Sequence, residues 1–228
     1  MSIKHTQSFS IRYLIITALV IAAGLNQSLY LEYALKPLLM LNLMLWYWVN
    51  APKPLGKLAL TVLISLVFSC FGDIFLMIQP TSQILFISGL LSFLVAHILY
   101  IRAYQLTAMP IMQGILRHQW WLLIPFVIFV TGFLYLLSPN LHELALPVGV
   151  YATVLMLMAI FALNRYGAVP QVSFWAVFIG AIVFVMSDSM IAINKFYQPI
   201  PFARVWIMST YCLAQWLIVW GMLKGEKW

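Results

Sequence analysis

Long apolar runs follow one another along almost the whole chain and constrain its fold more than any other feature. A transmembrane helix needs about 20 consecutive apolar residues. We predict eight such helices, at about residues 11–29, 34–49, 55–78, 83–104, 120–137, 144–163, 173–195 and 202–223. The connections are too short for a separate soluble domain. The sequence therefore predicts an all-α, polytopic membrane helix bundle in which residues 1–228 form a single integral membrane domain.

Composition and charge agree with a membrane protein. Only 7% of the residues are charged, whereas a soluble domain carries about 25%. The net charge of +7 does not indicate nucleic-acid binding, because the chain has no basic helix and no nucleic-acid motif. A cleaved signal peptide is the alternative for the first apolar run, but that run is long enough to span. We expect a multi-pass membrane protein, in the plasma (inner) membrane if the source is bacterial.

The distribution of basic residues predicts the topology. Cytoplasmic segments of membrane proteins carry an excess of Lys and Arg. With eight spans, one side of the membrane receives Lys4, Arg12, Lys53, Lys57, Arg102, Arg117, Arg165, Lys224 and Lys227. The opposite side receives Lys36, Lys195, Arg204, Glu32 and Glu143. We therefore expect both termini in the cytoplasm.

Two of the five acidic residues, Asp73 and Asp188, lie inside apolar runs, whereas Glu32, Glu143 and Glu226 lie in loops, at helix ends or in the tail. A carboxylate within a membrane helix costs about 2.5–3.5 kcal/mol on insertion scales, so it usually has a partner or a function. Both aspartates lie about two-thirds of the way along helices of the same direction. They are therefore expected at similar depth, as a pair of catalytic candidates.

Other polar residues within the predicted helices are candidates for substrate binding: Lys36, Asn42, His97, Tyr100, Asn194, Lys195, Arg204, Tyr211 and Gln215. Helical spacing places several of them on shared faces, as with Ser65, Ser69 and Asp73. Each also has a structural interpretation. Serines often bond back to the helix backbone, basic side chains extend to the membrane interface, and a salt bridge from Asp188 to Lys36 or Arg204 would neutralise that acid.

The sequence contains none of the common motifs for metal, nucleotide or serine catalysis. HExxH, GxSxG, CxxC and glycine-rich phosphate loops are absent, and the four histidines, His5, His97, His118 and His142, are scattered. The two cysteines lie in apolar runs without metal-ligand spacing, and a disulfide framework is not expected. We therefore predict no metal and no cofactor.

A series of short motifs resembles the YhhN family of membrane proteins, which contains the lysoplasmalogenases. The motifs are Lys36-Pro37, Gly72-Asp73, the set Phe86, Gly89, Phe93, His97 and Tyr100, then Ser187-Asp188 with Ala192 and Phe196, and finally Tyr211, Ala214 and Gln215. The resemblance implies hydrolysis of the vinyl ether bond of lysoplasmalogen to a fatty aldehyde and a glycerophospho-alcohol. It also implies that Asp73 and Asp188, which match the family's GD and SD motifs, are the catalytic pair.

Acid chemistry makes this activity compatible with the residues. A vinyl ether is cleaved when a proton adds to its β-carbon and water adds to the resulting oxocarbenium ion. Two carboxyl groups in an apolar pocket can supply the proton and the counter-charge, although either aspartate fits either role. The expected partners are a lysophospholipid and the bilayer, with no nucleic acid. The alternatives are a proton-coupled transporter and a lipid-binding membrane protein that use the same aspartates.

Overall fold

The structure, a computed structural model, describes residues 3–26, 28–78, 82–110 and 114–225. Within these ranges all regular structure is helical, which confirms the predicted class. The helices are α1 (Ile3–Leu25), α2 (Leu29–Asn50), α3 (Lys57–Ile78), α4 (Gln83–Thr107), the short α5 (Ile115–His118), α6 (Ile124–Leu141), α7 (Ala145–Leu163), α8 (Gln171–Phe196) and α9 (Ala203–Gly225). Short 3-10 turns at Trp120–Leu123 and His142–Leu144 precede α6 and α7.

Six helical segments in the described part of the chain are long and apolar enough to cross a membrane. They are Thr6–Leu25, Lys57–Ile78, Gln83–Thr107, Trp120–Leu163, Gln171–Phe196 and Ala203–Gly225. The fourth has 44 residues and contains both α6 and α7. Helix α2 is not among the six, and it carries the polar residues Glu32, Lys36 and Asn42. The chain is therefore a multi-pass membrane protein.

Two prolines lie inside helices, and one of them, Pro139, is beyond the predicted end of its span at residue 137. Helix α2 begins at Leu29, so Pro37 is in its interior, and α6 continues past Pro139 to Leu141. Proline has no N–H to donate to the carbonyl four residues earlier. In α6 that carbonyl belongs to Tyr135, and the Ser138 hydroxyl donates to it at 2.8 Å. The predicted turn at residues 79–82 lies mostly outside the described residues.

Close helix pairs form where glycine lets two backbones approach, as is common in membrane bundles. A Cβ atom added at Gly72 of α3 would lie 2.5 Å from the ring of Phe93 in α4. A Cβ at Gly89 would lie 2.7 Å from the side chain of Leu76. These two glycines therefore fix the contact between α3 and α4 next to Asp73.

Helices α8 and α9 pack in antiparallel orientation. The Ser173 hydroxyl donates to the Gly221 carbonyl at 2.8 Å, and the Ser187 hydroxyl donates to the Ile207 carbonyl at 3.1 Å. The carboxyl-terminal part of α8, which carries Asp188, therefore lies beside the amino-terminal part of α9. Helices α1 and α2 pack against α9, and α3 packs against α2 and α4.

Candidate active site

Asp188 belongs to a three-residue cluster that joins α8, α7 and α4. The Tyr151 hydroxyl donates a hydrogen bond to Asp188 Oδ2. His97 Nε2 lies 3.0 Å from the Tyr151 hydroxyl oxygen and 3.6 Å from Asp188 Oδ2. The His97 side chain is fully buried, so it approaches the carboxylate from inside the bundle. This arrangement gives Asp188 a hydrogen-bond donor and a second titratable group as direct neighbours.

Asp73 belongs to a separate network that joins α3, α9 and α4. The Tyr211 hydroxyl donates to Asp73 Oδ2 at 2.8 Å. Gln215 Nε2 donates to the Tyr211 oxygen at 3.4 Å and to Ser69 Oγ at 3.1 Å. The Tyr100 hydroxyl donates to Gln215 Oε1 at 2.7 Å, which orients the amide. Tyr100 and Gln215 thus act on Asp73 through Tyr211.

Both aspartates line one cavity of about 250 Å³. The polar residues around it include five of the residues that the sequence analysis proposed for substrate binding: Lys36, Asn194, Lys195, Arg204 and Tyr211. Apolar side chains from α1, α3, α4, α8 and α9 complete the wall. The cavity therefore combines two carboxyl groups with several cationic side chains.

A second cavity, of about 60 Å³, lies next to the first and is almost entirely apolar. The two cavities share Asp188, Leu76, Phe93 and Ile191 as lining residues. Aromatic side chains from α4, α6, α7 and α8 line the second one: Phe86, Phe93, Phe129, Phe133, Tyr151 and Phe196. Asp188 thus lies where a polar cavity and an apolar cavity meet.

Glu32 forms ion pairs with two cationic residues of the larger cavity. Its Oε2 lies 3.1 Å from Lys36 Nζ, and its Oε1 lies 3.3 Å from Arg204 Nη1. The two basic side chains considered as partners of Asp188 therefore pair with Glu32 instead. Glu32 lies between two of the predicted spans, whereas in the structure it is in the first turn of α2 and is buried. The spacing of four residues between Glu32 and Lys36 was the available signal.

The remaining predicted binding residues lie in different settings. His97, Tyr100 and Gln215 are buried behind the aspartates, with which they connect directly or through a tyrosine. Asn42 is not among the described residues that line either cavity. Its Oδ1 is buried without a hydrogen-bond partner in the described part of the chain. The structure therefore does not bring Asn42 to the site.

Two exposed residues at the end of α8 also border the larger cavity. Asn194 Oδ1 accepts a hydrogen bond from the Ile200 backbone N–H at 2.9 Å, which ties α8 to the loop that follows it. Lys195 Nζ lies 4.2 Å from the centroid of the Phe86 ring, a cation–π distance. Asn194 thus stabilises the rim of the cavity, and the Lys195 ammonium lies over an aromatic face at the same rim.

Tyr151 is the functional candidate that sequence reasoning missed. It lies in α7, a helix without charged residues, and the sequence gives no sign that α7 packs against α4 and α8 at this level. Among the described residues, no group of three or more His, Cys, Asp or Glu side chains is arranged to hold a metal ion. The acid–base groups that the described residues offer around the cavity are carboxyl, phenol, imidazole and amine.

Comparisons with known proteins identify similar sequences. The profile of the YhhN family matches residues 31–222. Lysoplasmalogenase TMEM86A of Bos taurus is 36% identical over 174 residues, which is 74% of this chain and 68% of that protein. Lysoplasmalogenase TMEM86B of Homo sapiens is 33% identical over 180 residues, or 78% and 69% of the two chains. No solved structure matches.

Proposed function

The chain belongs to the YhhN family, and from that premise we propose that it is a lysoplasmalogenase. It would hydrolyse the vinyl ether bond of lysoplasmalogen to a fatty aldehyde and glycerophosphoethanolamine or glycerophosphocholine. The observation that carries this proposal is that Asp73 and Asp188 line one cavity beside an apolar cavity. Such a site offers acid–base groups to a linkage that carries a polar head on one side and a hydrocarbon chain on the other.

The proposed reaction needs only acid and water. One carboxyl group gives its proton to the β-carbon of the vinyl ether, and the double-bond electron pair forms the new C–H bond. The other carboxylate stabilises the oxocarbenium ion, as paired carboxylates do in glycosidases. Water then adds to the carbon that bears oxygen and gives a proton to this second carboxylate. As the hemiacetal collapses, the second acid gives its proton to the departing glycerol oxygen and the first carboxylate takes the proton of the hemiacetal hydroxyl. Aldehyde and alcohol are released, and both carboxyl groups are back in their starting forms.

The neighbours of the two aspartates support a division of these roles. Asp188 accepts a hydrogen bond from Tyr151 and lies 3.6 Å from His97 Nε2, so a nitrogen base lies beside this carboxyl group. Asp73 accepts a hydrogen bond from Tyr211, which is in turn held by an amide side chain. We therefore propose Asp73 as the proton donor and Asp188 as the counter-charge that also activates water.

The two cavities suggest how the lysolipid lies. The first methylenes of its chain would enter the apolar cavity, which Phe129 and Phe133 line. The phosphate would face the cationic residues Lys36 and Arg204 in the larger cavity. The vinyl ether would then lie at the junction, beside Asp188. One apolar cavity suits one chain, so a two-chain plasmalogen should be a poor substrate.

We also propose that α2 crosses the membrane, which makes a single domain of eight transmembrane helices with both termini in the cytoplasm. The excess of Lys and Arg on one side supports this topology. Reporters fused at the amino and carboxyl termini should lie on the same side, and reporters at Asn140 and Gln198 on the opposite side. Termini on opposite sides would show that α2 does not span.

Purified protein in detergent tests the proposed activity. It should release fatty aldehyde from a vinyl-ether lysolipid, and not from the alkyl-ether analogue with the same chain and head group. Acyl lysolipid should be hydrolysed poorly, and a chelator should not change the rate. A proton-coupled transporter would release no aldehyde, since detergent removes the gradient. Rapid acyl hydrolysis without aldehyde from the vinyl ether would contradict the proposed function.

A further inference from the structure

Glu32 is a buried carboxylate that the proposed reaction does not use. Only 6% of the residue is exposed, although it lies in the first turn of α2. Its two oxygens contact different cations, Lys36 at 3.1 Å and Arg204 at 3.3 Å. Together these residues form a row of positive, negative and positive charge, which we call the Glu32 cluster.

The Glu32 cluster borders the same cavity as the two aspartates, so a ligand in that cavity meets both. The side chain of Arg204 is 57% exposed, that of Lys36 is 17% exposed, and that of Glu32 is 8% exposed. Arg204 can therefore accept an anion without giving up its contact with Glu32. Guanidinium groups bind phosphate through several donors at once, which suits this position.

Helix α1 packs against the cluster at Gly24, which also lines the cavity. A Cβ atom added at Gly24 would lie 3.3 Å from Glu32 Oε1 and 3.8 Å from Arg204 Cβ. A side chain at this position would press against the Glu32 carboxylate, and glycine avoids that contact. Glu32 itself lines the cavity, so a ligand group can reach it from there.

Stability alone is a weak reason for this carboxylate. A partly exposed ion pair contributes little to stability, and burying a carboxylate has a desolvation cost. A site for phosphate alone would also be better without Glu32, because the carboxylate repels the phosphate. The arrangement becomes favourable when the ligand carries a positive charge next to its phosphate.

We propose that the Glu32 cluster binds zwitterionic phosphodiester head groups and makes them preferred substrates. Arg204 and Lys36 contact the phosphodiester. Glu32 accepts a hydrogen bond from the ammonium of ethanolamine or contacts the quaternary ammonium of choline. This inference rests on the proposed function and adds a head-group preference to it. A lysolipid with a phosphodiester but no ammonium lacks the contact with Glu32 and binds less well.

Head-group competition tests the proposal with vinyl-ether lysolipids that share one chain. The head groups are phosphoethanolamine, phosphocholine and phosphoglycerol, the last of which has no ammonium. Wild-type protein should prefer the two ammonium-bearing substrates by at least about tenfold in kcat/KM, as expected for a close charge contact. In Glu32→Gln this ratio should fall to about twofold or less, through a higher KM for the ammonium-bearing substrates.

Two further variants separate recognition from folding. Glu32→Asp keeps the charge and should keep most of the preference. Arg204→Gln should raise KM for all three substrates and leave their ratio unchanged, because all three carry the phosphodiester. If Glu32→Gln lowers kcat/KM equally for all three head groups, Glu32 is only structural and the proposal is wrong.

The wild-type protein alone can also overturn the inference. Equal kcat/KM for phosphoglycerol and phosphoethanolamine substrates would show that the cluster does not recognise the ammonium. This comparison needs only the wild-type protein, so it holds even if Glu32→Gln does not fold. That result would leave aldehyde release intact. Absence of aldehyde from every head group would instead contradict the proposed function itself.

Discussion

Helix α8 has a buried polar cluster near each end, and the two differ in one respect. Near its amino terminus, Arg165 Nε donates to Thr107 Oγ1 at 2.9 Å and Arg165 Nη2 donates to Ser173 Oγ at 3.0 Å. Ser173 in turn donates to the Gly221 carbonyl. Burial lowers the pKa of Arg165 to about 10, so the guanidinium stays protonated at neutral pH. These donors and acceptors are matched within the protein.

Near the other end of α8, Asp188 and Asp73 each accept a hydrogen bond from a tyrosine and also face a cavity of about 250 Å³. Their acid–base atoms are therefore within reach of a ligand. The difference indicates that burial of polar groups alone does not identify a reactive site. A cluster whose hydrogen-bonding groups are all paired within the protein stabilises the bundle. A cluster that faces a cavity can also act on a substrate.

The largest expected effect separates the two clusters by activity. Asp73→Asn and Asp188→Asn should each lower kcat by at least about a hundredfold, the usual scale for acid–base groups. Folding should survive, because Asn has nearly the same shape and removes a buried charge. Turnover and the melting temperature in detergent measure the two effects. Near-normal turnover in either variant would remove that aspartate from the mechanism.

Ser173→Ala, in the cluster at the other end of α8, is the matched control and should lower stability rather than activity. Ser173→Ala leaves Arg165 and the Gly221 carbonyl each without one buried hydrogen-bond partner. The expected loss of stability is about 1–3 kcal/mol. Activity per folded molecule should stay close to that of the wild type, since Ser173 lies far along α8 from Asp188. A large fall in kcat with unchanged melting temperature would show that the closed cluster takes part in the reaction.

A smaller effect distinguishes the roles of the two aspartates. Tyr151→Phe and Tyr211→Phe each remove one donor to a carboxylate and should lower kcat by roughly tenfold. Loss of a donor disfavours the ionised form of the acid. With Asp188 required as carboxylate, Tyr151→Phe should move the acidic limb of the pH–rate profile to higher pH. With Asp73 required as acid, Tyr211→Phe should move the basic limb to higher pH.

The same pH–rate profiles can also contradict the assignment of the proton donor. If Tyr151→Phe moves the basic limb and Tyr211→Phe moves the acidic limb, the proton donor is Asp188 and the assignment is reversed. His97→Gln provides a matched comparison, because His97 lies 3.0 Å from the Tyr151 oxygen and should change only the limb that Tyr151→Phe changes.

The smallest expected effect concerns head-group binding at the edge of the cavity. Lys36→Met should raise KM by roughly threefold to tenfold, and it should change kcat little, because a partly exposed cation contributes only modestly to phosphate binding. A lysine that merely anchors the helix at the membrane interface would leave both constants unchanged. Initial rates over a range of vinyl-ether lysolipid concentrations distinguish these outcomes.

The sequence was sufficient for the class of fold and for singling out Asp73 and Asp188, which line one cavity, because apolar length and rare intramembrane charge are local signals. Tyr151 was not predictable in this way. Tyr151 reaches the site because α7 packs against α4 and α8. Its two partners there, His97 and Asp188, are 54 and 37 positions away in the sequence. The continuation of α6 past Pro139 was missed for a local reason. The proline indicated a helix end, but the Ser138 hydroxyl donates to the Tyr135 carbonyl, which the proline leaves without an N–H donor.

In the proposed mechanism, one cavity carboxyl group protonates the β-carbon of the vinyl ether and the other directs water to the adjacent carbon. The most direct measurement is the mass of both products after turnover in ¹⁸O-labelled water, with the aldehyde reduced as it forms. The glycerophospho-alcohol should carry no ¹⁸O, because the bond that breaks lies between the glycerol oxygen and the former vinyl carbon. Labelled oxygen in the glycerophospho-alcohol would show that water attacks the glycerol carbon instead and would contradict the mechanism.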